Sequence, residues 1–184
     1  MRNIASLERG AVACLQKQEI IPTIILLYCW CDAMGAATAR SQKVLRASTP
    51  KTMHWLATYV VSRLTDNVTA EELWSARHGI LHALTPMSDD VMHHGVRAIS
   101  FTLLELHAVD ARKQVARITA GKPALGSHLT LSVEMFAKAV MAATEDCLAK
   151  ISADPTWRAE FLELTEGQFD AIRMPFANSQ DADR

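Results

Sequence analysis

A chain of 184 residues, 49% hydrophobic and 21% charged, has the make-up of an ordinary globular protein and is long enough for one domain with a substantial core. Its net charge of −1 and pI near 6.6 weigh against tight, sequence-independent nucleic-acid binding, which goes with a pI above about 9, and leave room only for a local basic groove. Its four cysteines, Cys14, Cys29, Cys31 and Cys147, form no CxxC pair and read as buried thiols in a reducing cytoplasm rather than a disulfide framework or a zinc site.

Residues 4–18 put Ile4, Leu7, Ala11, Cys14 and Leu15 on one face and charges on the other, as in a surface helix packed on one side. Glu8 and Arg9, with no long apolar stretch behind them, argue against a signal peptide. The apolar run 20–31 stops at Asp32 after about twelve residues, whereas a membrane span needs about twenty. It therefore predicts a core helix over 21–38, with Pro22 in its first turn and apolar residues nearly all round. Residues 39–49 are polar and carry Arg40, Lys43 and Arg46 without an acid. Ser48 or Thr49 then caps a third helix with Pro50 at its first position. The apolar face of that helix is Met53, Leu56, Ala57, Val60, Val61 and Leu64, and Asp66-Asn67 makes the turn that follows.

The stretch 69–86, TAEELWSARHGILHALTP, organises the rest. Thr69 and Glu72 have the spacing of a reciprocal capping box, and Pro86 closes the helix. Leu73, Ile80, Leu81 and Leu84 fall within about 60° of Arg77 around the helix axis. A guanidinium amid that apolar stripe must find a buried acceptor or line a pocket.

Beyond it, 87–95 reads as a polar loop with Asp89, Asp90, His93 and His94. Residues 96–104 fit either a strand or a helix. Arg112, Lys113, Arg117 and Lys122 precede a break at 121–126. A helix over 132–151 is marked by Val133, Phe136, Ala137, Val140 and Met141, and Asp154-Pro155 starts a last helix reaching about residue 164. The fold expected is all-α, a single domain over 1–174 with a short β-hairpin near 97–103 and 128–131, and a disordered tail over 175–184.

Arg77-His78-Gly79-Ile80-Leu81-His82 resembles the R-x4-6-H motif of the HEPN superfamily of small helical domains, many of them metal-independent ribonucleases and toxin–antitoxin components. LYCWCDAMG followed by LWSARHGILHALT is similar to uncharacterised bacterial HEPN-like proteins. The resemblance covers residues 20–150, and only 77–82 is at all specific. It implies a HEPN-like helical bundle in which Arg77 and His82, with His78 beside them, act at an RNA phosphodiester across a homodimer, with RNA and an antitoxin or other protein as partners, and with no membrane.

The chemistry is consistent with those residue types. RNA supplies its own nucleophile, the 2′-OH, so no cofactor or metal is called for. Histidine can shuttle the proton, and arginine can stabilise the phosphorane oxygens through two parallel donors. On one helix His82 points about 140° away from Arg77, which is why two copies related by a two-fold axis would be needed.

Blander readings stand beside these. Asp32, the only acid between Glu19 and Asp66, is either a solvated residue at a helix edge or the buried partner of Arg77. The second option makes Arg77 structural and the protein a non-catalytic HEPN-like scaffold. His82 is either an exposed or hydrogen-bonded structural histidine or a general acid/base. His78 and His82, at i and i+4, have metal-ligand spacing, with His93 or His94 as a third ligand, but the HExxH signature is absent. Ser88 with His93 or His94 lacks a nucleophile elbow, and no Gly-rich phosphate loop occurs. Trp30, Trp55, Trp74 and Trp157 are spaced like core and interface residues.

Overall fold

The computed structural model describes residues 2–39, 49–65, 67–83, 88, 91, 94–103, 113 and 128–170. The expected end of the motif helix at 84–86, His93, the break at 121–126 and the expected tail at 175–184 lie outside the described residues, as do Arg40, Lys43, Arg46, Arg112, Arg117 and Lys122. Within the described residues the protein is mainly helical. These residues form six α-helices and a small parallel sheet in the order α1 (Arg2–Gln16), α2 (Ile20–Thr38), α3 (Thr49–Trp55), α4 (Ala70–Ala83), β1 (Ala98–Thr102), β2 (His128–Ser132), α5 (Val133–Ala153) and α6 (Pro155–Asp170).

The turn from α1 to α2 is tight. Gln18 sits at φ 61°, and its amide donates to Leu15 O while the Glu19 amide donates to Cys14 O, both at 2.9 Å. This is the Schellman closure, which satisfies helix-end carbonyls and favours glycine at the left-handed residue. α2 then begins with Thr23 Oγ1 donating back to Glu19 O at 2.6 Å.

α2 runs past Asp32 to Thr38, in agreement with the helix expected over 21–38. With 19 residues and a hydropathy of 1.6 it is long and apolar enough to cross a membrane. Here Leu27, Tyr28, Trp30, Cys31 and Met34 are 1% exposed or less and are covered by the other elements. Tyr28 meets Phe101 of β1 edge-on at 6.3 Å and Phe136 of α5 at 5.3 Å, which ties the centre of α2 to the sheet and to α5.

The third helix departs from a regular α-helix through Leu64. After Trp55 it becomes a π-helical stretch, Leu56–Val60, and then a 3-10 turn, Val61–Arg63. The wider turn keeps Trp55, Leu56, Tyr59 and Val60 all buried. Arg63 occupies the carbonyl that the change of register exposes, donating to Tyr59 O, and also reaches Asp146 on α5.

β1 resolves the ambiguity at 96–104 in favour of a strand. The expected hairpin, however, is not one: β1 and β2 run parallel, pairing Ile99 with Leu129 and Phe101 with Leu131. The connection over residues 103–127 explains the difference, because parallel pairing needs a crossover of roughly a dozen residues or more, whereas hairpin turns use about two to five. Ser132 ends β2 and caps α5, its Oγ accepting from the Met135 amide at 3.3 Å. α6 follows α5 after one residue and extends to Asp170, six residues beyond the expected end at 164.

Candidate functional site

The motif helix α4 begins as its sequence demands. The Thr69 amide donates to Glu72 Oε2 at 2.9 Å and the Glu72 amide to Thr69 Oγ1 at 3.1 Å, so two otherwise orphaned donors are satisfied. Glu72 also receives the guanidinium of Arg97, from just before β1, and Arg97 Nη2 donates to Asn67 O at 2.9 Å. The cap thus fixes the start of α4 against the sheet. Leu73, Ala76 and Ile80 turn inward, and Ser75 meets Ser88 in a buried hydroxyl pair.

Arg77 leaves this buried face toward α2 and forms an ion pair with Asp32. Its Nη2 donates to Asp32 Oδ2 at 2.6 Å and its Nε to the same oxygen at 3.2 Å, while Oδ1 accepts from Thr52 Oγ1 of α3 at 3.1 Å. The side chains of Arg77 and Asp32 are 17% and 13% exposed. One carboxylate therefore links α2, α3 and α4. Gly35, one turn after Asp32, allows the approach: a Cβ there would lie 2.8 Å from Thr52 Cα.

Titratable groups on α2, with Tyr28 and Cys31 buried and Cys29 half-buried, respond to this pair. The Tyr28 hydroxyl is pushed well above its usual value by burial, with a further upward push from Cys31, and Arg77 partly opposes both. The Cys29 thiol is raised by burial and by the Asp32 carboxylate, again against the pull of Arg77. Cys31 is fully buried and raised well above an ordinary thiol for the same two leading reasons. None of these three groups is set up as a nucleophile, since a reactive thiolate needs a lowered pKa.

His78 and His82 lie on the other side of α4, both exposed. Their rings lie 4.7 Å apart between centroids and are tilted by 47°, and His78 meets Trp74 edge-on at 6.2 Å. The Arg77 guanidinium carbon lies 4.8 Å from the Trp74 ring centroid, within range of a cation–π contact. The helix therefore carries a ridge of Trp74, His78 and His82, with Arg77 joined to it through Trp74. The structure brings Asp32 to Arg77 and His78 to His82. It does not bring His82 to Arg77 within one copy, as their angular separation anticipates.

Among the described residues no three His, Cys, Asp or Glu side chains converge on a metal position. His94, one of the two histidines considered as a third ligand beside His78 and His82, is described and exposed. Sequence reasoning missed Thr52 and Gly35, because nothing local marks a hydroxyl or a glycine that matters only when two helices touch. It also missed the role of Trp74, although a tryptophan at i−3 from a helical arginine is a readable stacking signal.

No family model, curated protein or solved structure matches this chain.

Proposed function

We propose that the protein is a HEPN-like helical module that cleaves RNA without a metal, with α4 as its working surface. The observation that carries this reading is the ridge of half-buried Trp74 and exposed His78 and His82 beside Arg77. It offers an aromatic face on which an unstacked base can lie and two imidazoles able to move protons. It also offers a guanidinium whose direction is set by a carboxylate. In the proposed reaction His82 takes the 2′-OH proton or returns one to the leaving 5′-oxygen. His78 holds the His82 ring in place, and Arg77 meets the phosphate oxygens. The divergence of Arg77 and His82 on one helix makes the working unit a homodimer with two α4 helices facing each other. A cytoplasmic toxin or defence effector with an antitoxin as partner is the setting that fits such an activity.

A second reading draws on a different observation. Asp32 already accepts two donors from Arg77, and Thr52 completes the carboxylate, so Arg77 serves as a structural tie in a non-catalytic HEPN-like scaffold.

Incubation of the purified protein with labelled RNA in EDTA separates the two. Cleavage that falls about 100-fold in His82→Ala and stops on 2′-deoxy substitution at the scissile position supports the first reading. Cleavage that needs a divalent ion, or that is undiminished in His82→Ala, removes it and leaves the scaffold. A monomer by light scattering at micromolar concentration removes the composite dimeric site.

A further inference from the structure

The two histidines of α4 are arranged for more than proton transfer. Their helix is held from several sides: the Thr69–Glu72 cap fixes its start, Arg77 ties its middle to α2, and Leu73, Ala76 and Ile80 are buried beneath it. His78 and His82 stand one turn apart on its exposed side, and the half-buried Trp74 lies one turn before them. Among the described residues no hydrogen bond or ion pair engages either imidazole. Both rings are therefore open to a ligand from solvent, on a backbone that is already ordered.

The spacing is that of a chelate. Histidines at i and i+4 project from one side of a helix and can share one ion. The ring centroids are 4.7 Å apart and the planes are inclined by 47°. With metal–nitrogen bonds of about 2.0–2.1 Å and a ring centre about 1.1 Å behind each nitrogen, two imidazoles on one ion have centroids about 4.5 Å apart at a right angle and about 5.2 Å apart at the tetrahedral angle. The observed separation falls between these values, so ligation asks for no movement of the helix.

The donor set decides the class of ion. Among the described residues no third His, Cys, Asp or Glu joins the pair. Imidazole nitrogens suit copper, nickel and zinc, whereas magnesium, calcium and manganese favour oxygen ligands. We infer that His78 and His82 form a surface chelate for one late first-row divalent cation, Cu²⁺, Ni²⁺ or Zn²⁺, with water in the remaining positions. A ring nitrogen bound to such an ion has no lone pair left for a proton. The site is thus a brake on the chemistry proposed for His82 and not its cofactor, and the inference does not rest on that chemistry.

The test is a titration of the full, untagged chain with Cu²⁺, Ni²⁺, Zn²⁺ and Mg²⁺ salts, followed by calorimetry and tryptophan fluorescence without RNA. Cu²⁺ should bind at one ion per chain with a dissociation constant below about 100 μM, Ni²⁺ and Zn²⁺ should bind more weakly, and Mg²⁺ should not bind. His78→Ala and His82→Ala should each weaken Cu²⁺ binding about tenfold or more, with circular dichroism unchanged because both side chains are exposed. His54→Ala, which removes an exposed histidine on α3, should leave the affinity as it is. Because the His78 ring lies 6.2 Å from that of Trp74, bound Cu²⁺ should quench tryptophan emission, and Trp74→Phe should remove most of that quenching while preserving the calorimetric signal. Absence of saturable binding by Cu²⁺, Ni²⁺ and Zn²⁺, or unaltered affinity in both His78→Ala and His82→Ala, overturns the assignment. Since RNA cleavage is not the readout, either result leaves the ribonuclease reading to its own test.

Discussion

Arg77 places two of its donors on a single oxygen of Asp32, leaving the other carboxylate oxygen to Thr52 on a third helix. This arrangement differs from the parallel fork in which arginine usually grips a carboxylate. Its consequence is that Asp32 answers two neighbours at once, so its loss strands both. Removing one partner of a buried pair costs about 3–5 kcal/mol. The partial exposure of this pair admits some water, so Asp32→Ala should cost about 2–4 kcal/mol by urea denaturation. The double variant Asp32→Ala/Arg77→Leu should recover part of that loss, because no guanidinium is then left without a counter-charge. If Asp32→Ala were as stable as the parent, the pair would have no structural role.

The close approach of α2 and α3 at Gly35 gives a second expectation. Alanine is the better helix former by about 1 kcal/mol, so an unobstructed helix would gain from Gly35→Ala. Here the new methyl group would meet Thr52 backbone at 2.8 Å, and overpacking of this kind costs about 1–3 kcal/mol. The net effect should be a loss of about 1 kcal/mol, read as a melting temperature lower by about 2–4 °C. A rise in melting temperature would mean that α3 can move away freely.

Gln18 offers the opposite case. Its left-handed backbone, φ 61°, carries a steric cost for any residue with a Cβ, of about 1–2 kcal/mol. Gln18→Gly removes that clash while keeping both closing hydrogen bonds. It adds some entropy to the unfolded chain, so the net gain should be about 0.5–1 kcal/mol. A destabilised Gln18→Gly protein would show that the Gln18 side chain contributes more than its backbone costs.

Alkaline pH should weaken the fold through its buried protons. Cys31 and Tyr28 are held above their ordinary values chiefly by burial, and Cys29 and Cys147 are raised as well. Below about pH 9, the ordinary value for a thiol, folded and unfolded chains hold the same protons on these groups. Above it the unfolded chain releases protons that the native state keeps, so stability falls as pH rises toward the native values. The urea midpoint should therefore be lower at pH 10 than at pH 8 under reducing conditions. Cys31→Ser would keep a small side chain while removing the thiol, and should flatten part of that decline. A midpoint unchanged across this range would contradict the account.

Much of the helical frame was legible because helix signals are local. Thr69 and Glu72 announce the start of α4 three residues apart, and Asp154-Pro155 announces α6 in two. The period of Leu73 and Ile80 identifies the buried face without reference to any other segment. The pairing of the strands was less legible. Ile99, Phe101, Leu129 and Leu131 have strand-like side chains, but strand direction is a relation between segments, and only the length of the connection hinted that they run parallel.

Composition and spacing by themselves determined that this chain is mainly helical, that its second helix is central, and that Arg77 must find a buried acceptor or line a pocket. Each follows from the cost of placing apolar surface in water or an unpaired charge out of it. Only the tertiary structure decided that the acceptor is shared with Thr52, that Gly35 makes room for the contact, and that Trp74 lies under the Arg77 guanidinium and meets His78 edge-on. It also decided that the third helix opens into a π-helical stretch beside a cavity lined by Trp55, Tyr59 and Trp157. Those arrangements depend on which helices touch and at what separation, and backbone approach between segments distant in the chain leaves no periodic trace in the order of the residues.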